Sequence, residues 1–201
     1  DGIDERTYTV KVERLNVDLE SIGLSTGTLT PAFDPAVLNY TVDLPADVET
    51  VTLTPAADNP DSTFTINGAA QVSRELTLRP GESVTASIVV TGQDGSTTKT
   101  YTVELTRAEI ITGFGVPEEM LSPKFDGKID EYLLTLPAQQ ESFSLTPVPA
   151  AGCDSLTIDG VEQASATFTL ALGEQRLVPI VATAGDTSFT YAVTIWRKPI
   201  I

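Results

Sequence analysis

The sequence predicts an all-β protein with two tandem Greek-key β-sandwiches, preceded by the closing strand of a third. Three observations lead to this prediction. A long segment occurs twice along the 201-residue chain, beginning at Leu29 and again at Leu121. Apolar residues alternate with polar ones in most segments, which is the period of a strand with one buried face. Turn-forming residues separate these segments at the spacing typical of sandwiches.

The closing strand is the clearest repeated element. The segments "DGIDERTYTVKVER", "DGSTTKTYTVELTR" and "GDTSFTYAVTIWR" end at Arg14, Arg107 and Arg197. Each has a glycine-containing turn, then Thr-Tyr, then an apolar residue at every second position. The matching inward positions are Tyr8, Val10 and Val12; Tyr101, Val103 and Leu105; and Tyr191, Val193 and Ile195. Because only the later two copies follow a full unit, we expect a piece of a longer tandem array.

The repeat sets the predicted domain boundaries. Residues 1–16 form the closing strand of a preceding unit, residues 17–107 the first sandwich and residues 108–201 the second. Only Arg107-Ala108-Glu109 separates the last strand of one unit from the first strand of the next. A linker this short leaves no flexible coil, so we expect the two sandwiches to lie end to end.

The first unit contains seven predicted strands. The first is a short strand around Leu19, Ile22 and Leu24. The others are marked by alternating apolar residues: Leu38 to Leu44, Val51 and Leu53, Phe64 and Ile66, Leu76 and Leu78, Val84 to Val90, and Tyr101 to Leu105. Asn67-Gly68 and Asp94-Gly95 are hairpin signals between them. Seven short strands with one apolar face predict a Greek-key sandwich.

Two aromatic pairs have predicted structural roles. Phe33 and Phe125 are expected to fix a crossing loop onto the core of each unit. Tyr40 and Tyr132 are expected to bury their rings while each hydroxyl finds a backbone partner.

These segments resemble the bacterial cadherin-like β-sandwich domain. The resemblance lies in the run Leu-x-Pro-x-Phe-x-Pro, in Tyr-x-Val-x-Leu-Pro, in the later Ile-Asn-Gly and in the closing Thr-Tyr-Thr-Val. It implies an immunoglobulin-like/cadherin-like fold and an origin in secreted or surface-attached bacterial proteins, hence an extracellular or cell-surface location. The second repeat departs from the pattern, with Gly127 in place of Pro35 and Asp159 in place of Asn67. We expect these departures to affect loop shape alone.

Composition disfavours several functions. The chain has 12 basic and 28 acidic residues, a net charge of −16 and no histidine. Triads that need histidine are therefore excluded, and we expect no enzyme. No basic patch exists for nucleic acid or an anionic membrane. Cys153 is the only cysteine, so no intrachain disulfide forms, and no run of 18 apolar residues is present.

The acidic composition leaves bound calcium as an alternative. No EF-hand loop is present. In such a loop the third position carries a ligand, but the third residue counted from Asp58 is Pro60 and the third counted from Asp126 is Lys128. The linker also lacks a dense run of aspartates. We therefore expect no cofactor, with structural calcium as the alternative.

Two places are candidates for contacts with partners. Trp196 follows the inward Ile195, so alternation points its ring away from the core. It is a candidate ligand or partner contact, and the alternative is packing under a loop or against a neighbouring unit. The opening strand, through Tyr8, Val10 and Val12, is expected to add to a sheet edge because an isolated strand is unstable.

The sequence therefore predicts a non-enzymatic extracellular spacer and adhesion module of a larger bacterial surface protein, whose partners are other domains of the same polypeptide. One alternative is a carbohydrate- or protein-binding module that uses the loop pole near Trp196. A weaker alternative is an accessory module of a secreted polysaccharide-degrading enzyme.

Overall fold

The computed structural model describes residues 7–8 and 15–200, and these form two β-sandwiches in sequence. The strands of the first are β1 (Leu19–Leu24), β2 (Asn39–Leu44), β3 (Thr50–Ala57), β4 (Thr63–Ile66), β5 (Arg74–Thr77), β6 (Ser83–Thr91) and β7 (Thr98–Arg107). One sheet has the order β1-β3-β5 and the other β2-β7-β6-β4. β2 pairs with β7 in parallel, and the other pairs are antiparallel. All seven strands predicted for the first unit are confirmed.

The alternation of apolar and polar residues along β7 explains why this strand forms part of a sandwich. Tyr101, Val103 and Leu105 are fully buried between the sheets, whereas Thr102 and Glu104 face outward. Successive strand side chains point to opposite faces, so the apolar set lies on one face and the polar set on the other. The same pattern on the facing strands closes the core of the first sandwich.

The second sandwich is divided into shorter strands. They are β8 (Ile111–Gly113), β9 (Leu121–Ser122), β10 (Glu131–Leu136), β11 (Ser142–Leu145), β12 (Val148–Pro149), β13 (Ser155–Ile158), β14 (Val161–Glu162), β15 (Ala166–Thr169), β16 (Gln175–Ala184) and β17 (Thr187–Arg197), with a single 3₁₀ turn at Glu118–Met120. The large sheet has the order β14-β13-β16-β17-β10-β9. Opposite it lie two small sheets, β8-β12 and β11-β15.

Within residues 108–200 there are ten strands instead of the seven expected of each repeat, and one of the three additional strands has a physical explanation. Its counterpart of β3 is broken between Leu145 and Val148 into β11 and β12. This segment contains Pro147 and Pro149, whereas β3 contains Pro55 alone. A proline has no backbone N–H to donate to a ladder, so two within three residues interrupt it.

The hydroxyls of Tyr40 and Tyr132 find backbone partners, as predicted. The Tyr40 hydroxyl donates to the Asp34 carbonyl at 2.6 Å and accepts from the Asp34 N–H at 3.1 Å. Tyr132 makes the same two bonds with Asp126, at 2.6 and 3.1 Å. The rings of Phe33 and Phe125 stack on these tyrosines, with centroids 5.9 and 6.0 Å apart. The crossing loop is therefore fixed to the core in the same way in both units.

The predicted opening strand is only partly within the described residues. Tyr8 lies in no strand, and its side chain is 80% exposed. Val10 and Val12, like most of residues 1–16, lie outside the described part of the chain. Strand addition through this segment therefore stays a prediction.

The linker between the sandwiches is held by both of them. β7 ends at Arg107 and β8 begins at Ile111. The Ala108 N–H donates to the Leu44 carbonyl at 2.9 Å, and the Ile110 carbonyl accepts from Ala150 N–H at 2.9 Å. The Ile110 side chain is fully buried in the second core. The three residues between β7 and β8 thus leave no slack between the units.

Candidate functional site

Arg107, the last residue of β7, lies where the two sandwiches meet. Its side chain is buried. Nε and Nη2 donate to the Ala46 carbonyl at 3.0 and 2.7 Å, and Nη1 donates to the Leu78 carbonyl at 2.8 Å. Nη2 also donates to Oγ1 of Thr187, in the second sandwich, at 3.0 Å. One guanidinium therefore joins two loops of the first sandwich to the β16–β17 hairpin of the second.

Burial lowers the pKa of the Arg107 guanidinium below its ordinary value, and the nearby Glu49, Tyr191 and Asp47 raise it in opposition. Arginine stays protonated in proteins, so the buried group is a cation. Its charge strengthens the hydrogen bonds to the two carbonyls.

The second sandwich repeats this arrangement with Arg197. Arg197 donates from Nε and Nη2 to the Ala138 carbonyl at 3.0 and 2.8 Å, and from Nη1 to the Leu170 carbonyl at 2.7 Å. Its side chain is only half-buried. The closing arginine is thus part of the fold of each unit, and in the first unit it also reaches the next domain.

Arg79 makes a second bridge across the junction. Its Nη1 donates to the Lys128 carbonyl at 3.1 Å and lies 3.3 Å from Oδ2 of Asp130. Its guanidinium carbon is 5.8 Å from the centroid of the Phe189 ring. The corresponding residue of the second unit is Ala171, which has no such reach. This bridge therefore belongs to the junction and not to the repeat.

Small residues let the facing ends of the two sandwiches approach each other closely. A Cβ on Gly127 would lie 3.1 Å from Cγ of Glu109 and 3.2 Å from the Pro80 carbonyl oxygen. Ala46, from the first sandwich, packs with the buried core of the second. The expectation that the change from proline to Gly127 affects loop shape alone is therefore incomplete, because this glycine also makes room for the junction.

Acidic side chains also lie at the junction. Asp47 and Asp154 line a cleft of about 290 Å³ between the sandwiches. Oδ2 of Asp154 accepts a hydrogen bond from the Gly185 N–H at 2.7 Å. Within residues 7–8 and 15–200, no three acidic or cysteine side chains are grouped as a metal site would require.

Trp196 lies on the outer face of the second sandwich, opposite Thr135 of β10 and Gln175 of β16. The neighbouring Ile195 is fully buried, so the outward direction predicted by alternation is confirmed. The indole is half-buried in a shallow groove of about 570 Å³. The groove is also lined by Glu119, Thr135, Pro137, Ala138, Gln139, Lys198 and Pro199. A contact of Trp196 with a ligand or partner stays a prediction.

Cys153 lies half-buried in the loop before β13. Its S–H donates to the Ser155 carbonyl at 3.4 Å, and burial raises the pKa of the thiol. A raised pKa keeps the thiol protonated and poorly nucleophilic. Cys153 thus lacks the features of a reactive cysteine.

The sequence model of the cadherin-like beta sandwich domain matches residues 19–108 and 112–198. The chain belongs to this family. Both matched segments coincide with the two sandwiches, so each is a cadherin-like domain. Across the part of the chain that the structure describes, no helix has the length and apolar character needed to span a bilayer.

One relative and three solved structures resemble parts or most of the chain. A protein of Evansella cellulosilytica named "Putative membrane protein" is 34% identical over 96 residues, which is 46% of this chain and 14% of that protein. The chain thus spans a small part of that relative. Domains 4 and 5 of the S-layer protein SbsC are 15% identical, with 89% of this chain and 98% of that one covered and a TM-score of 0.30.

For the fibronectin(III)-like modules of Clostridium thermocellum CbhA the identity is 10%, the coverage 89% and 95%, and the TM-score 0.28. For the antigen BSR4 of Toxoplasma gondii the identity is 10%, the coverage 88% and 99%, and the TM-score 0.32.

Sequence reasoning did not identify the junction residues of these cadherin-like domains. A signal existed for Arg107, since an arginine closes all three copies of the last strand. No comparable signal existed for Arg79, because the second repeat has alanine at that position. The role of Gly127 was hidden because it depends on how close the first domain lies.

Proposed function

We propose that this pair of cadherin-like domains is a non-enzymatic, stiff spacer within a larger extracellular protein of the bacterial surface. The spacer would hold functional domains away from the cell wall, and adhesion would be carried by those domains. The observation that carries the proposal is the buried Arg107, which serves the fold of one domain and contacts the next.

The junction supports stiffness in three ways. The linker has no free length, because Ala108 and Ile110 are hydrogen-bonded to opposite domains. Arg107 and Arg79 bridge the domains at separate points. Ala46 packs with the neighbouring core. Domains joined only by a coil move independently, whereas several fixed contacts restrict hinge motion.

Composition supports a role outside catalysis. The chain has no histidine to transfer protons near neutral pH, and its net charge of −16 favours solubility. The extracellular assignment draws on the tandem arrangement of cadherin-like domains and on the membrane-protein name given to the relative from Evansella cellulosilytica.

Single-molecule stretching of the full chain from its two ends tests the spacer. A load-bearing spacer should give two unfolding events, each releasing a chain of one domain, on the order of 300 Å for about 90 residues. A smooth extension at low force without separate events would contradict the proposal. A glycine-serine insertion between Ala108 and Glu109 is the control, since it should free the joint and keep both events.

A further inference from the structure

The outer faces of the two matching sheets differ in chemistry. In the first domain, the face formed by β2, β7 and β6 carries hydroxyl side chains. In the second, five of the equivalent outward positions on β10, β17 and β16 are apolar, whereas Thr135, Thr194 and Gln175 on the same face are polar. The pairs, first domain before second, are Thr41 and Leu133, Thr85 and Leu177, Ser87 and Pro179, Thr102 and Ala192, and Thr106 and Trp196. Since the fold is the same, the fold alone does not require this apolar surface.

The apolar residues are neighbours on this face and are interleaved with polar ones. Leu133, Thr194 and Leu177 lie in one row across the three strands, and Thr135, Trp196 and Gln175 lie in an adjacent outward row. A concavity of about 600 Å³ over the first row adjoins the Trp196 groove of about 570 Å³. The Leu177 side chain is 61% exposed. Leu177 and the half-buried Trp196 are large apolar side chains that the fold leaves accessible, which makes this face a candidate contact site.

The size of the surface limits its occupant. Three strands about 4.8 Å apart and some six residues long give a face of roughly 300 Å². A stable protein interface buries about 800 Å² on each partner, so this face is too small for a second copy of the chain. β17 is also paired on both sides, with β10 and β16, so an extended peptide cannot add to it as a strand. A narrow ligand that lies across side chains fits these limits.

The polar groups indicate which narrow ligand. Thr135, Gln139, Gln175 and Thr194 lie beside the apolar residues, and such hydroxyls and amides both donate and accept hydrogen bonds. The same two concavities are also lined by the charged residues Glu119, Glu131 and Lys198. Sugar hydroxyls require partners of this kind, and the C–H face of a sugar ring packs on an indole. The net charge of −16 repels acidic chains.

We propose that the outer face of β10, β17 and β16 binds a neutral polysaccharide, with one sugar ring stacked on Trp196 and the next rings over Leu133 and Leu177. This function goes beyond that of a spacer and does not depend on it. A spacer with this face would also fix its protein to a neutral glycan in the cell wall or on a surface nearby.

The single tryptophan makes the test direct, because Trp196 is the only source of indole fluorescence in the chain. The full chain is run in native gels containing hydroxyethylcellulose, galactomannan or mixed-linkage β-glucan, with hyaluronan as the acidic comparison. The neutral polysaccharide that retards the chain most is then titrated into the protein in solution. Binding is followed by the change in Trp196 emission. We expect retardation by at least one neutral polysaccharide, none by hyaluronan and a blue shift of the emission.

Three variants locate the site. Trp196→Thr places the first domain's residue on the second, and we expect it to weaken retardation about tenfold. Leu177→Thr keeps the fluorophore and changes an exposed side chain, so the domain stays folded, and we expect a severalfold loss of affinity. Val72→Thr, at an exposed position of the first domain that is 78% accessible, is the control and should bind as the parent does.

Three results would overturn the proposal. The first is that none of the three neutral polysaccharides retards the chain. The second is that Trp196→Thr and Leu177→Thr bind as strongly as the parent. The third is a concentration-dependent dimer, seen by sedimentation without glycan, that Leu177→Thr abolishes, because the face would then be occupied by a second copy.

Discussion

The Nη2 atom of Arg107 donates a hydrogen bond to the hydroxyl of Thr187 at 3.0 Å, although the two residues belong to different domains. The same nitrogen also serves the Ala46 carbonyl of its own domain. One side chain therefore closes the first sandwich and fixes the second against it. The stability of the first domain and the stiffness of the joint should consequently depend on the same residue.

Replacing Arg107 with alanine should destabilise the first domain by about 3 kcal/mol, because two buried carbonyls, of Ala46 and Leu78, lose their charged donor. Urea unfolding of the full chain measures this change. Arg197→Ala is the matched control. Its half-exposed site admits water to the freed carbonyls of the second domain, so we expect a loss of about 1 kcal/mol. Equal losses of unfolding free energy for the two variants would show that docking of the second domain adds nothing to the stabilising effect of Arg107.

Adding a methyl group at Gly127 should strain the joint. The new Cβ would lie 3.1 Å from Cγ of Glu109 and 3.2 Å from the Pro80 carbonyl oxygen, so these two neighbours must give way by a few tenths of an ångström. Gly127→Ala should lower the melting temperature. It should also weaken the protection from hydrogen exchange of the Gly81 amide, which follows Pro80 and donates to the Arg107 carbonyl at 3.0 Å. Gly113→Ala is the control, since its Cβ would meet nothing within 4 Å and alanine restricts the unfolded chain. Equal melting temperatures for Gly127→Ala and Gly113→Ala would contradict the close approach of the domains at Gly127.

Removing the hydroxyl of either loop-fixing tyrosine should cost similar free energy in the two domains. Tyr40→Phe and Tyr132→Phe each lose a 2.6 Å bond to a backbone carbonyl and leave it without that donor. We expect about 1–2 kcal/mol for each, measured by urea unfolding of the full chain. Tyr8→Phe, at an 80% exposed position, should leave stability unchanged. A loss confined to one domain would contradict the equivalence of the two loops.

Alkaline pH should destabilise the second domain through Tyr191. Burial raises the pKa of this fully buried tyrosine above its ordinary value of 10.0. The unfolded chain therefore loses the proton first, so stability is complete below pH 10 and falls progressively as the pH rises above it. Tyr191→Phe should flatten this fall in unfolding experiments at stepped pH, and Tyr8→Phe should not. An unchanged alkaline slope in Tyr191→Phe would assign the fall to other groups.

The sequence predicted the sandwiches well because their strands have one buried face. Tyr101, Val103 and Leu105 mark β7 by alternation, and the same parity correctly directs Trp196 outward. Prediction was poorer where the pattern carried no information. The break between β11 and β12 depends on Pro147 and Pro149, whose effect on the ladder overrides the alternation.

The junction was beyond prediction for a different reason. Arg107 and Thr187 are 80 residues apart, and their contact depends on how two finished domains dock. The repeat revealed that an arginine closes each unit, but its second partner lies outside the repeat. Likewise, the apolar outer face emerges only once the ladder register aligns Leu133 with Leu177 across β17.

The distance between the two domains in solution tests the stiff junction most directly. Val72 and Val161, both exposed, are replaced by cysteines in a Cys153→Ser background and spin-labelled. The distance between the two labels is measured by pulsed electron–electron double resonance. We expect one narrow distance distribution for the uninterrupted chain. After a glycine-serine insertion between Ala108 and Glu109, we expect a broad one. A distribution in the uninterrupted chain as broad as that of the insertion variant would contradict the claim that Arg107 and Arg79 lock the domains together.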